Sequence, residues 1–197
     1  MKKIFIVLGV IFLLSSCATS VKRVEAGTER DLSGYWNARD VRIVCQALID
    51  DALSSPRIDQ AIRQAGKTPM VIVGRFRNES SEHIDTAIIS ETMQNVIFNS
   101  GRLDFVAGSD ERDEIRDERN EQQGFASEET AARLGRETGA DFMMTGTVRT
   151  IVDREGNRTV RTYYVSAFLT NIETNERMWM GQNSEITKEI RRANNKF

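Results

Sequence analysis

Met70-Val71-Ile72-Val73-Gly74-Arg75-Phe76-Arg77 is the stretch whose reading decides the fold. Its first half is an unbroken apolar run, bounded by Pro69 before it and the turn formers Asn78-Glu79-Ser80-Ser81 after it. Eight residues between such breakers suit a strand better than a helix. A continuous apolar run of this kind predicts a central strand covered on both faces.

Helical periods surround that strand. From Asn37 or Asp40 to about Ser54, the residues Val41, Val44, Cys45, Leu48, Ile49 and Ala52 recur at helical spacing. Asn37 or Asp40 caps the start, and Ser54-Ser55-Pro56 stops the helix. A shorter helix covers Ile58 to Ala65 and ends at Gly66. After the strand, Ile84 to Ser100 forms an amphipathic helix with Ile84, Ile88, Ile89, Met93, Val96 and Ile97 facing inward. Leu103 to Ala107 makes a short strand, and Asp110 to Glu121, with seven acidic and three basic residues, a solvated helix. Another helix opens at Ser127-Glu128-Glu129 and closes at Gly139.

The C-terminal third reads as antiparallel sheet. Phe142, Met144, Gly146, Val148 and Val152 alternate with Thr145, Thr147 and Arg149, the pattern of a strand with one solvated face. Glu155-Gly156-Asn157 turns the chain, Thr159 to Ile172 returns it, and Thr174-Asn175 turns it into Arg177 to Gly181. Glu185 to Phe197 reads as a frayed helix. The order predicts an α+β domain built on a mixed sheet of about four to five strands flanked by helices.

At the N-terminus, Lys2-Lys3 precedes an eleven-residue apolar run, Ile4 to Leu14. A spanning helix needs about 20 apolar residues, so this run fits a secretory signal. It ends in Leu14-Ser15-Ser16-Cys17, which resembles the lipobox of bacterial lipoproteins. Residues 1–16 are therefore expected to be a cleaved lipoprotein signal peptide. Cys17 would carry diacylglycerol and an N-acyl chain, two hydrophobic signals that suffice for stable anchoring. Ala18, rather than Asp, stands at the second mature position, which leans toward an outer-membrane lipoprotein facing the periplasm; the outer leaflet of the inner membrane is the other choice. Residues 18–30 are polar and aperiodic, a tether of thirteen residues. Fully extended, a tether of that length spans at most about 45 Å. Residues 31–197 form the globular domain.

Composition narrows the function. The net charge of −2 becomes −4 once Lys2 and Lys3 are removed, which gives no reason to expect nucleic acid or electrostatic adhesion to anionic lipid. With Cys17 lipidated, Cys45 is left without a disulfide partner and reads as a small buried hydrophobe. His83 is the sole histidine and falls in a turn. The chain has no nucleophile elbow and no phosphate-cradling glycine loop. Its acidic cluster, Asp110 to Glu118, lacks calcium-loop spacing. The reading is a non-enzyme with no metal and no cofactor.

Two stretches stand out from this plain background. Asp31-Leu32-Ser33-Gly34-Tyr35-Trp36-Asn37 places two aromatics before the first helix. Trp36 either packs over that helix as a staple or, with Tyr35, anchors a partner. In the second stretch, Arg75 and Arg77 project from one side of their strand and offer a cationic patch to an acidic partner, while Asn78 organises the turn or joins that patch.

Three segments carry a resemblance: Asp31-Leu-Ser-Gly-Tyr-Trp-Asn-Ala-Arg-Asp40, Val71-Ile-Val-Gly-Arg-Phe-Arg-Asn-Glu-Ser-Ser-Glu-His-Ile-Asp85 and Gly139-Ala-Asp-Phe-Met-Met-Thr-Gly146. Together they resemble the LpoB family, lipoprotein activators of bifunctional penicillin-binding proteins. The last segment is shared more loosely with the N-terminal domain of TolB and with curli-secretion lipoproteins. The resemblance implies a TolB N-terminal-domain-like mixed sheet. It also implies docking on an accessory domain of a peptidoglycan synthase, which stimulates peptidoglycan synthesis. Known members reach their partner on a long disordered tether, whereas residues 18–30 are short. A structural or secretion-assembly envelope lipoprotein on the same fold is the alternative, and it predicts stable homo-oligomers.

Overall fold

Strand β1 (Met70–Asn78) lies inside the sheet, between β2 and β3. The computed structural model of the chain describes residues 31, 33–123 and 139–192. The leader, Cys17, the tether and the helix expected after Ser127 lie outside them. The remaining elements are α1 (Ala38–Leu53), α2 (Pro56–Ala65), α3 (Thr86–Ser100), β2 (Asp104–Phe105), α4 (Ser109–Gln123), β3 (Phe142–Glu155), β4 (Arg158–Asn171), β5 (Arg177–Asn183) and β6 (Thr187–Arg191). The architecture is α+β. Along the sheet the order is β2-β1-β3-β4-β5, and β6 also pairs with β4. β1 runs parallel to both β2 and β3, and the rest is antiparallel.

β4 shows the clearest alternation. Arg161, Tyr163, Val165, Ala167 and Leu169 are buried, and the residues between them are partly exposed. Its whole length is paired on one side by β3. On its other side β5 covers Val165 to Thr170 and β6 covers Arg158 to Thr162. β5 and β6 are thus laid end to end along one strand. The break between them is organised by Asn183, whose side-chain oxygen accepts from Glu185 N at 3.2 Å. Tyr163 N donates across the gap to Ile186 O at 2.9 Å.

β6 corrects the helix expected from Glu185 to the C-terminus. Ile186, Lys188 and Ile190 turn toward the protein while Thr187, Glu189 and Arg191 are exposed, a period of two rather than 3.6. The two isoleucines alone leave the period ambiguous; the inward Lys188 resolves it.

The core lies on one face of the sheet. Val71, Val73 and Phe76 of β1 join Met144, Val148, Tyr163, Val165, Leu169 and Trp179 beneath α1 and α3. On the opposite face Met70, Ile72 and Gly74 are only partly buried. Among the described residues, therefore, β1 is not covered on both faces as its apolar run suggested. Its buried positions shift from odd to even between Val73 and Phe76, because one extra residue in β1 opposes the Met144–Gly146 step of β3. Gly146 is required at this bulge, since a Cβ there would overlap the Phe76 ring.

Helix α1 starts with a capping box. Asn37 accepts from Arg39 N and Asp40 N, and Asp40 accepts from Asn37 N at 2.9 Å. Val41, Val44, Cys45, Leu48, Ile49 and Ala52 are buried as expected. In α3 the stripe is Ile89, Met93, Val96 and Ile97. Ile88, one residue off that stripe, is 49% exposed instead of facing inward.

Candidate functional site

The first unusual stretch and the turn that ends the second meet where β4 carries charge inward. Arg161 occupies the buried register of β4, and its Nε lies 3.0 Å from Glu82 Oε1, with both side chains 8% exposed. The pair is an ion contact without hydrogen-bond geometry, and Arg161 Nη1 also has no hydrogen-bond partner among the described residues. Tyr163 Oη donates to Glu82 Oε2 at 2.7 Å. Burial, and then that hydrogen bond to a carboxylate, push the Tyr163 phenol well above its ordinary range.

A second charged group sits beside the first. Lys188 Nζ lies 2.5 Å from Asp40 Oδ2 and 2.8 Å from Asp31 Oδ1, and it donates to Tyr35 O at 2.9 Å. One buried ammonium thereby ties β6 to the first turn of α1 and to the segment before it. Asp31 also accepts from Asn37 Nδ2 at 2.7 Å. The Lys188 hydrogen bond, followed by the Asn37 one, holds the Asp31 carboxyl below the usual carboxylate range.

The aromatics of the first stretch roof this cluster. Trp36 packs on Tyr163 with ring centroids 5.2 Å apart, tilted by 54°. It is partly buried against the core, and the ring it meets is on β4 rather than on the first helix. Tyr35 is 50% exposed. Its ring lies under the Arg161 guanidinium, 4.3 Å from centroid to Cζ.

The second stretch divides between two tasks. Asn78 Oδ1 accepts from Ser80 N and Ser80 Oγ, and its Nδ2 donates to Glu82 O at 2.7 Å. Asn78 thus organises the turn that delivers Glu82 to Arg161. Arg75 and Arg77 are exposed, with Phe76 buried between them. Glu79 shares its carboxylate between Arg149 at 2.7 Å and Arg77 at 3.7 Å, which leaves a patch rich in positive charge.

Several residues central to the cluster were not singled out from the sequence. Glu82, Arg161, Tyr163 and Lys188 all belong to it. The available signal was charge in an inward register: Arg161 alternates in phase with Tyr163, Val165, Ala167 and Leu169. Elsewhere, His83 is exposed, and no acid or nucleophile is paired with it among the described residues. Cys45 is fully buried, and burial pushes its thiol up to about 12. The described residues contain no group of His, Cys, Asp and Glu placed to hold a metal ion. None of their helices is long and apolar enough to cross a membrane.

Fold and cluster together define an α+β domain whose inward charges clamp chain segments to one another. The family model for the peptidoglycan-synthase activator LpoB matches residues 40–185, and the chain belongs to the LpoB family. Membership makes it a regulator of peptidoglycan synthesis rather than an enzyme. Among solved structures, it is similar to the LpoB C-terminal domain from Escherichia coli, at 16% identity and a TM-score of 0.45, over 78% of this chain and 99% of that one. The corresponding domain from Salmonella enterica matches at 16% identity and a TM-score of 0.39, over 78% and 99%. Lipoprotein GNA1162 from Neisseria meningitidis matches at 16% identity and a TM-score of 0.41, over 64% and 88%. No curated protein matches the chain significantly.

Proposed function

We propose that this chain is a lipid-anchored envelope protein that binds a bifunctional penicillin-binding protein and stimulates its peptidoglycan synthesis. The observation that carries the reading is the LpoB family match across residues 40–185. In this reading residues 1–16 are a cleaved signal peptide, Cys17 is lipidated, residues 17–30 are the tether and 31–197 the globular domain. The Leu14-Ser15-Ser16-Cys17 sequence supports the lipid, and Ala18 supports sorting to the outer membrane with the domain in the periplasm.

Activation of this kind requires no chemistry from the activator. It requires that the domain bind the active conformation of the synthase more tightly than the idle one. Tyr35, Arg75 and Arg77 are the exposed candidates for contact. Trp36 and Asn78 contribute to that surface by holding it in shape.

The test is a glycan polymerisation assay with the cognate synthase in detergent, with and without the full chain. Faster polymerisation together with a measurable complex supports the reading. No complex and no change in rate would reject it.

A further inference from the structure

Beside the clamp lies a cleft of ≈270 Å³, and its walls include Ser33, Tyr35, Arg154, Thr159, Arg161 and Arg192. Three elements build it: the tip of the β3–β4 hairpin, the end of β6 and the segment before α1. They are fixed to one another. The hairpin loop is Gly156-Asn157, with Gly156 at φ 56°, where a two-residue loop of this kind takes glycine. Asn157 Nδ2 donates to Arg192 O at 3.0 Å, and Arg192 N donates to Asn157 O at 2.9 Å. Gly34 lies directly on β6, since a Cβ there would overlap Ile190.

The charge of this cleft is one-sided. Among the described residues three arginines line it and no acidic residue does. Arg161 is offset by Glu82 behind it, yet its Nη1 is buried without a hydrogen-bond partner. Arg154 and Arg192 have no acidic partner among the described residues. Their neighbours differ: Arg158 and Arg191 are both held by Glu189, at 2.8 Å and 2.5 Å. Local acid therefore neutralises the arginines beside the cleft, while of those lining it Arg154 and Arg192 face no acidic partner among the described residues.

We propose that the cleft receives a carboxylate from an acidic peptide segment. Guanidinium groups match a carboxylate in plane and charge. The Tyr35 ring and Ile190 supply apolar wall for the stem of a glutamate or aspartate side chain, which a bare inorganic anion would leave uncovered. The inference rests on the cleft alone and does not depend on the synthase reading.

The experiment is calorimetric titration of the full chain in detergent with a hexaglutamate peptide, a hexaglutamine peptide and inorganic phosphate. Hexaglutamate is expected to bind and hexaglutamine not to. The exposed pair of changes Arg154→Glu and Arg192→Glu should weaken hexaglutamate binding by about tenfold or more without moving the thermal midpoint. Arg154→Gln alone, which adds no new charge, should weaken it in the same direction and serves if the double variant fails to fold. No hexaglutamate binding, equal binding of hexaglutamine, or an affinity unchanged in the variants would overturn the proposal. Phosphate saturating the site at the same concentration as the peptide would overturn it too, as a site for free anions.

Discussion

Lys188 Nζ sits 2.5 Å from Asp40 Oδ2, with the two side chains 7% and 5% exposed. This contact joins the last described strand to the first turn of the first helix. Asp40 serves twice, because its carboxylate also accepts from Asn37 N in the capping box. The segment before α1 is thereby tied to β6, which pairs with β4.

Lys188→Met should expose what that pair does. Removing one member leaves Asp40 buried and uncompensated, a loss of ~3–5 kcal/mol. Urea unfolding followed by tryptophan fluorescence measures it. Adding Asp40→Asn to Lys188→Met removes the stranded charge and should recover part of the loss. A single variant as stable as the parent would show that the pair is not a clamp.

Gly146→Ala tests the bulge. The new Cβ would overlap the Phe76 ring, and β3 is held too tightly between β1 and β4 to yield. Overpacking of this kind costs ~1–3 kcal/mol. Phe76→Leu in the same chain makes room on the ring side, though not at the Ser166 backbone oxygen that the Cβ would also overlap, so the second change should be less harmful in the Gly146→Ala background than alone. Additive losses in a double-mutant cycle would contradict the contact.

How much of this was legible in the sequence varies with the period of each segment. Strand β1 and helix α1 declare themselves as elements, and the stripe of α1 maps onto its burial, but the apolar run of β1 hides both its partly covered face and its bulge. The β5–β6 break does not. Its short pieces are set by pairing with β4, a partner remote in sequence, and a local reading of Glu185 onward has only two isoleucines to work with. The site was half legible. Tyr35, Trp36 and Asn78 drew attention as unusual residues, and Asn78 does organise a turn. Their purpose was hidden because it lies in Glu82, Arg161 and Lys188, whose burial only the assembled sheet reveals.

Alkaline pH should weaken the domain through Cys45. Its folded value of about 12 lies above the ordinary thiol value of 9.0 because burial disfavours the thiolate. The folded state therefore holds its proton where the unfolded state releases it. Stability is intact below pH 9.0 and falls as pH rises toward about 12, at ~1.4 kcal/mol per pH unit at most. Tyr163, shifted the same way, adds to the loss above its ordinary pKa of 10.0. Cys45→Ala should flatten the profile between pH 9.0 and the onset of tyrosine ionisation; an unchanged slope there would rule the thiol out.

Arg75→Glu with Arg77→Glu separates contact from architecture in the proposed activator. Both side chains are exposed, and exposed ion pairs such as that of Arg77 with Glu79 contribute only ~0–1 kcal/mol. The thermal midpoint should therefore hold, while a docking surface that meets an acidic partner should lose association rate and salt dependence together. Trp36→Ala makes the contrast. It removes the ring packed on Tyr163 and should cost ~3 kcal/mol or more in stability, in the range of large-to-small aromatic changes. Its effect on synthase stimulation would thus be mixed with unfolding. Stimulation that survives reversal of both arginine charges, in a chain of unchanged stability, would move the contact surface away from β1. Tyr35, exposed with its ring under the Arg161 guanidinium, would then be the next residue to change.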